Sequence, residues 1–424
     1  MRGSGKAAGR RDRARPSVAL ALAMAALVVG CTGSAATSPG TVVAASTPSA
    51  LPSSGATAPL ASSGAGAVSA AHPFDVQWLP SSSFPTTARP VEQLNLGGIV
   101  AAGKAYVAYG AVIFGGADDA AAARDPANHD ISAGVWTSAD GVAWHQATDP
   151  ALAGARMDAA GVSPTGGVVL SGALPPASGQ TWNTTVWTSA DQVHWHATRI
   201  PSTGSVRAVA WDGKCVVASA FDSGGHGLWT SCNGGAWQKG HVYGATERVD
   251  EIDLVPFGFL ALVDRSDDAG HRHLVIVVSK DGLHWQDRTI AGDDVIWTNP
   301  HVVVTLGGVL VAAGAGSNAQ PIKFWRASPD GSTWTQENPA SAMSGANIDR
   351  GTACKGGVAV VGTSGRTGEP ATFLSTDGRS WFEASTAPES GLLDSIASRD
   401  DQIVALISGF EFRHTIWIGR IVGS

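Results

Sequence analysis

One phrase recurs six times in this 424-residue chain, and the recurrence constrains the fold more than any other feature. It reads SADGVAW (138–144), SADQVHW (189–195), SCNGGAW (231–237), SKDGLHW (279–285), SPDGSTW (328–334) and STDGRSW (375–381). Its acidic position falls at Asp140, Asp191, Asn233, Asp281, Asp330 and Asp377, so successive copies lie 51, 42, 48, 49 and 47 residues apart. A catalytic group is needed once, whereas a group stamped at near-even intervals belongs to every structural unit.

Each copy follows alternating apolar runs such as AYVAYG (105–110), GVVLSG (167–172), GVLVAAG (308–314) and GVAVVG (357–362). A unit therefore reads as four strands, A to D, with the final tryptophan of the phrase on D. The Asp-Gly or Asn-Gly pair predicts a two-residue hairpin turn between C and D, and Asp191-Gln192 departs from it. Four-stranded units of this length predict an all-β fold, a β-propeller of antiparallel blades. The 53 glycines and 15 tryptophans suit many short strands and turns.

The phrase resembles a shortened form of the Asp-box, or BNR, repeat of sialidase-like propellers. That resemblance implies that the six acidic positions are scaffold, on C–D turns opposite the ligand-binding face. The number of blades follows from the chain ends. GLLDSIASRD, QIVALISG and TIWIGRI after Trp381 supply three strands, and FDVQWLP (74–80), with Trp78, supplies a lone D strand. Joined, they make a seventh blade that closes the ring and hides two sheet edges. The propeller is expected to occupy residues 72–424.

The start of the chain reads as targeting sequence. Basic residues precede the apolar run VALALAMAALVV, which ends in Val28-Val29-Gly30-Cys31. This resembles a bacterial lipobox, which implies removal of residues 1–30 and lipidation of Cys31; an ordinary signal peptide is the alternative. Acyl chains on Cys31 would hold the protein on the outer leaflet of the cytoplasmic membrane. Residues 31–71 carry no charge and are rich in Ser, Thr, Ala, Gly and Pro, so a disordered tether is expected. Residues 1–30 hold six of the 28 basic and one of the 35 acidic residues; 22 and 34 remain, about −12. An acidic body argues against a nucleic-acid partner, and a monomer is expected.

Cys215 and Cys232 bracket a DSGG turn, so antiparallel pairing brings them together and predicts a disulfide in an exported protein. Cys354 is left over. No zinc spacing occurs, and the acidic loops at 114–132 and 264–273 match no Ca²⁺ loop, so neither metal nor cofactor is expected. Trp182 and Trp297 remain after the scaffold tryptophans are assigned, and both are candidate ligand-stacking residues at the channel mouth.

Sialidase chemistry, as the resemblance implies, needs three arginines, a tyrosine nucleophile with a glutamate, and an acidic acid/base. The candidate set is Tyr243, Glu247, Asp250, Arg156, Arg207 and Arg350. The Arg-Ile-Pro segment of that family has one match, Arg199-Ile200-Pro201, but it follows the second repeat instead of preceding the first. The sequence thus reads as a non-catalytic extracytoplasmic binding or assembly module for carbohydrate, envelope polymer or envelope protein. A sialidase-like hydrolase is the alternative.

Overall fold

The computed structural model describes residues 75–82, 84, 93–114, 130–174, 183–202, 204–222, 225–244, 247–266, 272–288, 301–305, 308–313, 322–337, 341–384, 391–408 and 414–423. Cys31, the tether, Trp182 and Trp297 lie outside them. The described residues form seven four-stranded antiparallel sheets. Their only helical pieces are short 3₁₀ turns at Pro150–Leu152 and Ser341–Met343. Blades one to six span 93–146, 156–199, 206–242, 247–288, 301–337 and 347–384. Blade seven takes three strands from 392–422 and its outermost strand, Asp75–Ser82, from the other end of the chain.

The seven innermost strands are Gln93–Ala102, Arg156–Val162, Val206–Trp211, Glu247–Val255, His301–Thr305, Asn347–Cys354 and Leu392–Arg399. Each touches the next, and the last touches the first, so the sheets close into a propeller around a central channel. Apolar packing follows the same plan. Seven separate clusters occur, one at each blade junction. A C-strand aromatic points toward the preceding blade in most of them: Trp136, Trp187 and Trp325 are at most 1% exposed. Removing such a ring costs about 3–5 kcal/mol, so these side chains set the spacing of the blades.

The C–D turns are longer than the expected two-residue hairpins, for a reason visible in the first. Strand C ends at Ser138 and strand D begins at His145. Asp140 folds its carboxylate over the intervening turn, and Oδ1 accepts the amides of Val142 and Ala143, each at 2.9 Å, and the Ser138 hydroxyl at 3.0 Å. Only the following residue takes positive φ: +74° at Gly141, +75° at Gly282, and +62° at Gln192. Asp191, Asp281 and Asp377 accept the same two amides.

These turns also lean on the preceding blade. Gln402 donates to the Asp140 carbonyl, Thr230 to Gly282, and Arg326 to Asp377, at 2.8, 2.6 and 2.8 Å. Blade three differs. Asn233 and Gly234 both have positive φ, +52° and +69°, and Gly235 N–H donates to Cys232. That is the two-residue turn the sequence led one to expect, and it occurs where the aspartate is missing. A disulfide joins Cys215 to Cys232, directly opposite each other in the ladder beneath it.

A candidate ligand site at the charged mouth of the channel

The innermost strands share one irregularity. In six of the seven, the register against the second strand slips by one residue near the start. The residues before the slip are Leu96, Met157, Val206, Val249, Ile348 and Leu393, all buried. The extra residues are Gly97, Asp158, Arg207, Asp250, Asp349 and Asp394. A bulge frees its extra residue from the ladder and re-aims the side chains beside it. Repeated around a ring, it gathers polar side chains at one end of the channel.

A cavity of about 360 Å³ opens there, lined by Tyr109, Asp158, Arg207, Arg248, Asp250, Glu251, Asp253 and Arg350. Deeper along the same strands the lining turns apolar, with Ile99, Ala101, Val162, Leu254 and Ile396 around a second space of about 360 Å³. Ala160, Val209, Ile252 and Asp253 border both. The channel is therefore densely charged at the end where the innermost strands begin and lined mainly by aliphatic side chains and backbone at the other.

Local pairs hold several of these charges. Arg248 Nε lies 2.6 Å from Asp250 Oδ1, and Arg156 Nε lies 3.0 Å from Asp158 Oδ1. Asn347 reaches Asp349 in the same two-residue step, at 3.2 Å. Burial still pushes the Asp158 and Asp349 carboxyls above the usual carboxylate range, against the pull of Arg156 and Arg350 respectively. Asp253 is raised furthest, first by desolvation and then by Glu251, whose charge and hydrogen bond both favour a protonated Asp253. Two carboxyls joined by a hydrogen bond require a proton between them. Tyr109 fits against the backbone at Gly97 and Gly98; a Cβ on either would come within 2.7 Å of its ring or hydroxyl. Burial raises its pKa, with Arg350 opposing.

Of the sequence-derived candidates, Asp250, Arg207 and Arg350 line the cavity. Arg156 is held by Asp158 and is not among the lining residues. The proposed Tyr243–Glu247 pair does not form. Tyr243 is 1% exposed in the core between blades three and four, and its hydroxyl has no hydrogen-bond partner. Burial pushes that hydroxyl far above its ordinary pKa. Glu247 accepts the Gly244 amide at 2.7 Å and pairs with Arg265. Tyr109, not Tyr243, faces the channel. Sequence reasoning also missed Asp158, Arg248, Glu251 and Asp253. For Asp158 a signal was present, an apolar residue followed by a charged one at the start of a strand, as in Met157-Asp158, Val249-Asp250, Ile348-Asp349 and Leu393-Asp394.

Ser408 near the same face donates to Asp394 and contacts His414 Nδ1 at 3.0 Å. Its proton is directed to the carboxylate, so the serine is not activated by the histidine. No group of three or more metal-ligating side chains occurs among the described residues.

A seven-bladed propeller with a polar channel mouth is the class that fold and site define. No protein-family model matches the sequence. No curated protein is significantly similar to it. Among solved structures, the chain resembles the GH74 xyloglucanase of Xanthomonas campestris, with 16% identity and a TM-score of 0.52 over 81% of this chain and 53% of that one. It resembles a prolyl endopeptidase with 15% identity and a TM-score of 0.50, over 76% and 46%. The chain thus spans about half the length of these two proteins. The virginiamycin B lyase of Staphylococcus aureus matches with 10% identity and a TM-score of 0.50, over 82% of this chain and 100% of that one. These likenesses establish the propeller fold, which hosts unrelated activities.

Proposed function

We propose that this protein is a lipid-anchored, extracytoplasmic binding module of the Asp-box type, which takes a carbohydrate segment of the cell envelope at the charged mouth of its channel. Cys31 supplies the anchor to the outer leaflet of the membrane, and residues 31–71 the tether. The body works as a monomer, without cofactor, metal or nucleic acid. The observation that carries the reading is the interleaving of guanidinium and carboxylate groups around one cavity. Sugar hydroxyls donate and accept at once, so they match alternating fixed donors and acceptors, and charge-assisted bonds to them are strong. An array of envelope glycans tests this: binding should weaken at least tenfold in Arg350→Gln and in Asp253→Ala. Binding unchanged in both variants overturns the assignment.

One observation favours a second reading, hydrolysis in the sialidase manner. Arg207, Arg248 and Arg350 line the same cavity as Tyr109 and Glu251. Arg248 is already committed to Asp250 at 2.6 Å, so binding is preferred. Turnover of a fluorogenic sialoside that disappears in Tyr109→Phe would establish the hydrolase instead.

A further inference from the structure

The junction between blades two and three lacks a contact made at the next one. Between blades three and four, a single carbonyl, that of Gly282, accepts both the Thr230 hydroxyl at 2.6 Å and the Trp285 indole N–H at 2.8 Å. Gly234 is the turn residue that should fill this role in the preceding blade. A Cβ placed on Gly234 would meet nothing within 4 Å, so its tight turn does not reach blade two. Two donors are left over. Thr188 stands one residue beyond Trp187, as Thr230 stands beyond Trp229, and among the described residues its hydroxyl has no such partner. The buried indole N–H of Trp237 has none either. Both side chains line a cleft of about 260 Å³, together with Trp211, His196, Lys214 and Asn233.

The chemistry of this cleft differs from that of the channel mouth. It has two indoles as flat apolar walls, the Thr188 hydroxyl, and a lysine and a histidine but no carboxylate in its lining. The half-buried Thr188 hydroxyl and the exposed Lys214 ammonium are donors facing the cleft, and an acceptor-only anion answers both. An indole wall suits the apolar face of a pyranose ring. We propose that the cleft between blades two and three binds a hexuronic acid unit, its carboxylate oxygens taken by Thr188 and Lys214, its ring against Trp237 and Trp211. This site is separate from the channel mouth and does not rest on the function proposed for it.

The channel lining contains no tryptophan among the described residues, so indole signals separate the two sites. The test is titration of the ¹⁵N-labelled full chain with methyl glucuronide, against methyl glucoside as the neutral control, followed through the indole N–H resonances. The expected result is saturable shifts of Trp237 and Trp211 with glucuronide, at least tenfold weaker with glucoside. The response should fall at least threefold in Thr188→Val and in Lys214→Gln, and persist in Arg350→Gln. No shift up to about 50 mM, well into the millimolar range, or equal binding of the neutral glycoside, overturns the proposal. So does a response confined to other indoles.

Discussion

Trp78 stands opposite Gly419, two residues beyond Trp417, just as Trp334 stands opposite Ala327, two residues beyond Trp325. The strand at the start of the fold therefore occupies the register of a D strand belonging to a blade more than three hundred residues later in the chain. Gly419 is shaped to its partner, since a Cβ there would lie 2.4 Å from Val76 and 3.2 Å from the Trp78 ring. Replacing Trp78 by Ala should cost about 3 kcal/mol, the low end for a partly exposed tryptophan. Urea unfolding measures it, and a loss below about 1 kcal/mol would mean that the ring closes without this strand.

The repeat aspartates and the channel carboxyls respond to pH with opposite sign. Amides of Ala143 and Val142 hold Asp140 below the usual carboxylate range, and the Ser328 hydroxyl with the Ser332 amide holds Asp330 at about 2. Stability from such groups is present above their unfolded pKa and is lost as pH falls through the folded value. Asp158 and Asp349 are raised, so their contribution is full below the unfolded pKa and is lost as pH rises through the folded value. Asp140→Asn should flatten the acid limb of a stability-against-pH curve. Asp158→Asn should flatten the stretch just above the usual carboxylate range, roughly pH 4 to 6. Urea midpoints across pH check both slopes.

The disulfide at Cys215 and Cys232 closes a short loop in the one repeat hairpin that lacks an aspartate and has no seat on its neighbour. By chain entropy it contributes about 3 kcal/mol. Reduction should lower the melting temperature and raise amide exchange first in the hairpin around residues 215–238. Cys354 is 7% exposed, and burial pushes its thiol up to about 12. Iodoacetamide should therefore leave it unmodified in the native protein and label it after unfolding, as peptide mapping would show.

Gly98 sits under the Tyr109 hydroxyl, where a Cβ would approach to 2.7 Å. Gly98→Ala should displace the tyrosine into the channel and cost about 1–3 kcal/mol by overpacking. It should also weaken ligand binding more than Tyr109→Phe, which keeps the ring in place. Calorimetric titration with the array-selected glycan checks the order of the two variants.

Much of the architecture was legible because it repeats. Six spaced copies of one hairpin phrase, and a single D-like strand around Trp78 ahead of the first blade, were enough to read seven blades and a closure by both chain ends. The pairing of Cys215 with Cys232 followed from simple hairpin register. The site was less legible, because a bulge inverts the alternation on which side-chain direction is read. Glu251 and Asp253 face the channel only because the ladder slips at Asp250. Tyr109 reaches the channel from a second strand because Gly97 and Gly98 leave room for it. Tyr243 had suggestive neighbours in sequence, yet its ring serves the core. The turn geometry was misread because Asp140 accepts the amides of Val142 and Ala143, which holds open a longer loop between Ser138 and His145.

The central claim is that recognition belongs to the bulged inner strands and that the repeated aspartates serve the scaffold alone. The most direct measurement is glycan affinity of three proteins side by side: the wild type, Arg350→Gln at the channel mouth and Asp140→Asn in a repeat turn. The account predicts at least a tenfold loss for Arg350→Gln and wild-type affinity for Asp140→Asn. Loss of affinity in the repeat variant, with the channel variant unaffected, would contradict it.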